Sequence, residues 1–188
     1  MFFTGFRTGL RHGELLGLEW GDIDWNEKKL NVCRSYNVKK ISLTKNGKSR
    51  RVDMSSQLLD VLKELYSKRK FEALKEGRGD NIVEHIFHRN GHYINQGNNR
   101  KIFKKILRLA GIPDRRIHDI RHTYGSLLLS EGVSPVYVKE QMGHSSISIT
   151  VDTYGKWMKS DNESEVNKLD DALKRTLSAP MKNTKKAS

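Results

Sequence analysis

One cysteine and three prolines are all that 188 residues hold of either. A lone Cys33 rules out a disulfide within the chain and any zinc site built from several cysteines, and it points to a reducing compartment. No stretch approaches the roughly 20 apolar residues of a membrane span. The opening Met-Phe-Phe-Thr-Gly lacks the charged-then-apolar layout of a secretory leader. These absences lead us to expect an intracellular, cytoplasmic protein. Acid is scarce too, with 22 Asp and Glu against 35 Lys and Arg, a formal charge of +13 and a pI near 9.8. Such an excess favours a polyanionic partner, because cations that displace condensed counterions gain affinity for a phosphate backbone. Charge alone leaves open a basic protein with no nucleic-acid partner. At this length and 36% hydrophobic residues, one domain with a real core is expected rather than two.

Periodicity then divides the chain. Leu10, Leu15, Leu16 and Leu18 recur at helical spacing and predict a helix from Thr8 to Leu18. It begins so near Met1 that the chain reads as part of a longer protein. Over 29–54 the period shortens to two: Leu30 and Val32, Ile41 and Leu43, then Val52 and Met54 predict three short antiparallel strands. Asn46-Gly47 is a hairpin signal, since both positions of a type I′ turn need positive φ. Leu58, Leu62, Leu65 and Tyr66 mark a long helix capped by Ser55 or Ser56 and reaching about Glu76. After a short extended segment and loop over 81–95, Ile102, Phe103, Ile106 and Leu109 define a helix closed by Gly111 and Pro113. Its other face carries Arg100, Lys101, Lys104, Lys105 and Arg108, either a solvated surface or a phosphate-contacting strip. Helices follow at about Ile117–Ser130 (burying Ile120, Tyr124, Leu127 and Leu128), Ser134–Met142, Ser146–Tyr154 and 162–178. The expected class is α+β, mainly α, with a small three-stranded antiparallel sheet.

Several residues could carry chemistry. His118 and Arg121, three apart on one helix, are neighbours about 5 to 6 Å apart at their β-carbons. They bring a hydrogen-bond donor and a planar cation to one point, and an Arg fork suits phosphate. Arg11 sits among leucines, where a charge needs a partner; Glu14, one turn on, could orient it. His144 follows Met142-Gly143 in a turn between two helices. Tyr154 closes Ile149-Thr-Val-Asp-Thr-Tyr beside Gly155. Each has a plainer reading: a surface pair, an ion pair, an exposed turn histidine, a core tyrosine. His118 and His122 also have the i, i+4 spacing of helical zinc ligands, but the metalloprotease pattern wants Glu where Asp119 stands. His85, His88 and His92 fall in a loop without helical register.

Four segments in chain order resemble the tyrosine recombinase family, also called phage-type integrases. They are Thr8-Gly-Leu-Arg-His-Gly-Glu-Leu-Leu with Trp20-Gly-Asp-Ile, the strand from Lys45 to Met54, His118-Asp-Ile-Arg-His-Thr, and Met142-Gly-His-Ser-Ser-Ile running to Tyr154. The resemblance covers about residues 4–158, and the order and spacing of the segments make it specific. It implies the DNA breaking-rejoining enzyme fold, with Arg11, Lys45, His118, Arg121, His144 and Tyr154 as catalytic residues. Lys39, Lys40 and Lys48 lie close to Lys45, whose distance before Arg50-Arg51 fits best. It further implies a catalytic domain over 1–160, a C-terminal helix over 161–179 and a disordered basic tail over 180–188. The separate DNA-clamping domain and leading helices usual in the family are not in this sequence.

The activity so implied is site-specific DNA recombination without metal or other cofactor: Tyr154 attacks a phosphodiester of double-stranded DNA and leaves a 3′-phosphotyrosyl link and a free 5′-hydroxyl. A phenol of ordinary pKa about 10 is mostly protonated at neutrality and needs a base, the role expected of His118. Arg11 and Arg121 would stabilise charge on the non-bridging oxygens, His144 would add a hydrogen bond, and Lys45 would protonate the leaving 5′-oxygen. The implied partners are DNA and further recombinase protomers, four in the active complex, with the last helix docking between them. The rivals are a type IB topoisomerase with the same chemistry, a DNA-binding module without catalysis, and a zinc hydrolase.

Overall fold

A computed structural model describes residues 1–37, 40–43 and 49–158. In chain order the elements are α1 (Phe2–Thr8), α2 (His12–Leu16), β1 (Ile23–Asp24), β2 (Lys29–Val32), β3 (Arg34–Asn37), β4 (Lys40–Leu43), β5 (Arg50–Asp53) and α3 (Ser56–Lys75). Then come β6 (His88–Arg89), β7 (His92–Tyr93), α4 (Gln96–Leu109), α5 (Ile117–Ser130), α6 (Pro135–Met142) and α7 (Ile147–Tyr154). The architecture is mainly helical with small antiparallel sheets, as expected. Lys45, the Asn46-Gly47 turn, the helix expected over 161–179 and the tail over 180–188 lie outside the described residues. Among the described residues no helix is long and apolar enough to cross a membrane.

The helix expected from Thr8 to Leu18 is two helices. Gly9 adopts φ +63 and ends α1, and a β-carbon there would fall 2.3 Å from Tyr124 Cδ1. Only glycine combines that backbone with that closeness. Arg11 is therefore not inside a helix: its backbone is extended (φ −66, ψ 150) and it stands at the N-terminus of α2. Leu10, Leu15, Leu16 and Leu18 are buried all the same. The apolar pattern reported the core correctly and the continuity wrongly.

The three-stranded sheet is ordered β1-β2-β5 and antiparallel, with Leu30 opposite both Ile23 and Val52. The strand carrying Ile41 is not in it. Instead β4 pairs with β3 as a separate ribbon, Tyr36 opposite Ile41, and Ile41 is largely exposed. The cause lies in the partners: Ile23, Leu30 and Val52 are buried in one cluster with Leu58 and Leu62 of α3, whereas Tyr36 stacks on Tyr93 of β7 at 4.2 Å. Ser55 caps α3, its Oγ accepting from the Leu58 amide.

Two helices turn differently from their apolar pattern. On α4 the buried residues are Asn99, Phe103 and Leu107, while Ile102, Ile106 and Leu109 are exposed. Phe103 packs on the ring of Phe2, centroids 5.0 Å apart, and Asn99 is tied to His12 at 2.6 Å, so these contacts fix the rotation. On α5 Leu127 is exposed, and Leu129 and Arg121 are buried in addition to Ile120 and Tyr124. The aliphatics of α5 pack with Val138 and Met142 of α6 and Tyr154 of α7, forming a second core that carries one end of the site.

Candidate active site

α2, β5, α5, α6 and α7 converge on a cleft of about 1000 Å³ lined by Arg11, His118, Arg121, His144 and Tyr154 among others. Five of the six residues expected from sequence thus meet in one place; Lys45 is outside the described residues.

Arg121 faces the cleft from within the fold, 3% exposed. Burying a guanidinium costs several kcal/mol unless its donors are met. Here Nη1 donates to the Gly9 carbonyl at 2.7 Å and Nη2 to the Met142 carbonyl at 2.6 Å. Both acceptors end helices, α1 through Gly9 and α6 at Met142, where carbonyls lack an intrahelical partner. The break at Gly9 is thus part of how the arginine is held. Burial first, then the Arg11 charge, lowers Arg121 to about 10, and it remains cationic at neutral pH.

Glu14 of α2 holds two more arginines. It is buried, accepts from the Arg11 amide at 2.8 Å and Nη1 at 2.9 Å, and receives Arg50 Nη1 and Nη2 at 2.9 and 2.7 Å. Burial would raise this carboxyl, but the Arg50 hydrogen bonds and charge, with Arg11 behind them, outweigh it and hold it at about 2. Arg11 Nη2 also donates to the Gly143 carbonyl, and Arg50 Nε to that of Gln141. Gly143 (φ +66) must lack a β-carbon, which would lie 2.9 Å from Arg50 Nε. His144 follows directly. Its Nδ1 pairs with the buried Thr150 hydroxyl at 2.8 Å, and burial, then Arg121, Arg11 and Arg50, lower it to about 4, so at pH 7 it is neutral.

Tyr154 is 2% exposed, its ring against Tyr124, Leu129, Val138 and Met142. Its hydroxyl pairs with His122 Nδ1 at 2.9 Å. Burial raises the phenol's pKa, opposed by Arg121. His118 stands one turn away on α5, its ring edge-on to that of His122 with centroids 4.9 Å apart. Burial, then the neighbouring His122 and Arg121, push it below the ordinary imidazole value.

Two residues of the site escaped the sequence reading. Arg50 was used only as a spacing mark, yet it shares a strand face with buried Val52 two residues on, the alternation that would have pointed it inward. His122 was weighed only as a zinc ligand. Among the described residues no three His, Cys, Asp or Glu side chains are grouped to hold a metal. His85 instead stacks on Tyr93 at 3.7 Å, and His88 Nδ1 accepts from the Gly91 amide.

The fold has counterparts among solved structures. One is the Tn1549 transposon integrase in complex with a circular intermediate DNA, with TM-score 0.71 and 20% identity over 90% of this chain and 57% of that one. Another is the catalytic domain of bacteriophage HP1 integrase, with TM-score 0.57 and 23% identity over 88% and 78%. These establish the fold. The chain belongs to the phage integrase family, whose profile matches residues 2–160. It is 37% identical to a tyrosine recombinase XerC-like protein of Caldanaerobacter subterraneus over 91% of its own length and 48% of that protein's. It is 32% identical to the ICEBs1 integrase of Bacillus subtilis over 92% and 48%. The chain spans about half the length of these curated relatives.

Proposed function

We propose that this domain cuts and rejoins double-stranded DNA as a site-specific recombinase, by transesterification through Tyr154. One observation carries the reading: a buried tyrosine presents its hydroxyl to a cleft where Arg11, Arg50 and Arg121 are held by carbonyls and one carboxylate. Family membership and solved relatives holding DNA, such as the Tn1549 integrase with its circular intermediate, support it.

The chemistry follows from the charges. The phenolic oxygen bonds to phosphorus as the 5′-oxygen leaves, and negative charge grows on the two non-bridging oxygens. Arg121 has five N–H donors and gives two to backbone carbonyls, leaving others for those oxygens. Fixed cations in a partly dry site stabilise that charge without reorganising. Neutral imidazoles at His118 and His144 add hydrogen bonds, and Lys45 protonates the leaving oxygen. The bond energy is kept in the phosphotyrosyl link, so another strand's 5′-hydroxyl can reverse the attack. The protein would work in the cytoplasm on DNA, with protomers joined through the segment over 161–179 into a tetramer.

The test is covalent capture. Full-length protein is mixed, in EDTA, with a library of nicked duplexes of randomised sequence that lose the short fragment bearing the free 5′-hydroxyl on cleavage. A DNA–protein adduct is expected with the unaltered protein and not with Tyr154→Phe. An adduct that persists in that variant, or none with either, overturns the proposal.

A further inference from the structure

α5 carries two histidines toward the cleft, and they stand in different places. His118 borders both this cleft and a neighbouring one that holds Arg115 and Arg116, on the side where phosphate charge would be met. His122, one turn further along, is the residue whose Nδ1 lies 2.9 Å from the Tyr154 hydroxyl. That distance is within the reach required of a general base, with no intervening water. Tyr154 is buried in one core cluster with Tyr124, Leu129, Val138 and Met142, and its hydroxyl meets His122 from there.

We propose that His122, not His118, is the catalytic base for the nucleophile. The inference rests on the reading of Tyr154 given above. Nδ1 of a neutral imidazole protonated on Nε2 takes the phenolic proton as Tyr154 Oη bonds to phosphorus. The P–O5′ bond breaks, the 5′-oxygen takes its proton from the general acid, and His122 is left as imidazolium. On rejoining, the 5′-hydroxyl gives its proton back to the general acid as it displaces the tyrosine, and His122 returns the proton to Oη. His118 is thereby released for the non-bridging oxygens.

The titratable and charged groups that share the cleft with His122, or neighbour it on its own helix, are His118, Asp119 and Arg121 on α5, Lys139 and Glu140 on α6, His144 in the α6–α7 turn, Tyr154 on α7, Arg11 beside α2, and Arg50 and Arg51 on β5. Asp119, engaged by Arg116, and Glu140 are the anions among them.

The experiment uses full-length protein and duplexes recovered from the random library by the unaltered protein. Single-turnover adduct formation is followed from about pH 6 to pH 10 for the unaltered protein, His122→Asn, His118→Asn and Tyr154→Phe. Each is read on an ordinary phosphodiester and on one whose leaving 5′-oxygen is sulfur, which departs without a proton. We expect His122→Asn to slow cleavage about 100-fold or more at neutral pH on both substrates. The deficit should shrink about tenfold per pH unit toward the ordinary phenol pKa of about 10, as Tyr154 ionises unaided. Should the asparagine variant not fold, His122→Gln is read the same way. An undiminished rate, a deficit independent of pH, or a pH-dependent deficit in His118→Asn instead would each overturn the assignment. Loss of the wild-type adduct itself, or its persistence in Tyr154→Phe, would overturn the recombinase reading beneath it. An adduct that needs Tyr154 but is indifferent to His122 would sink only the assignment of the base.

Discussion

α4 and α5 are both 14 residues long and both carry cations, but the fold uses them oppositely. On α4, Arg100, Lys101, Lys104, Lys105 and Arg108 are all exposed, and the one ion pair they make among the described residues, Lys104 to Asp114, is itself exposed. On α5 the one arginine of the helix interior, Arg121, is buried and held by two helix-end carbonyls. Counting charge would rank α4 as the functional helix. Burial ranks them the other way, because an isolated cation is not taken out of water without partners that fix it. The cations of α4 can attract a polyanion; that of α5 can meet a single phosphate in a fixed geometry.

The contrast can be broken by substitution, and the largest effect should fall on Arg121. Arg121→Lys keeps the charge but cannot span the Gly9 and Met142 carbonyls, so cleavage should fall about 100- to 1000-fold. DNA affinity, read by filter binding, should change much less; equal loss of both would make Arg121 a plain phosphate anchor like those of α4. Next in size is Glu14→Gln. Removing one partner from a buried ion group leaves Arg11 and Arg50 uncompensated, and chemical denaturation at pH 7 should show a loss on the order of 3 kcal/mol. No loss would mean that the arginines hold themselves.

Acid should expose the same dependence in two stages. His144 resists protonation in the fold, about 4 against an ordinary 6.5, so its contribution is complete above pH 6.5 and is lost as pH falls toward 4. Glu14, at about 2 against 4.5, contributes fully above pH 4.5 and loses that contribution as pH falls toward 2. In Glu14→Gln the second stage should vanish while the first persists, a difference readable by thermal melts across that range. The smallest effect belongs to α4: Lys105→Ala should weaken DNA binding a few-fold and lower the slope of log affinity against log salt by about one. A specificity change there would contradict the division between the two helices.

Much of this was visible in the chain. The residues Arg11, His118, Arg121, His144 and Tyr154 lie up to 143 positions apart, counting from 11 to 154, yet their local motifs marked all five. What escaped depended on distant contacts. The glycine at position 9 is a local sign of a helix end, but the closeness of Tyr124, far along the chain, that excludes any other residue there is not. The rotation of α4 is decided by Phe2 and His12. β4 reads like a strand of the main sheet, and only the stacking of Tyr36 on Tyr93 shows why it stands apart. Arg50 and His122 are legible by strand alternation and helix spacing respectively, but the first carries no motif of its own and the second has equally the spacing of a zinc ligand.

The central claim is that Tyr154, among the six tyrosines of the chain, is the nucleophile. The most direct measurement is to digest the covalent adduct with protease and nuclease and locate the nucleotide-bearing residue by mass spectrometry. The account predicts a phosphotyrosyl link through a 3′-phosphate at Tyr154 alone. A link at any other tyrosine, or at a serine, would contradict it.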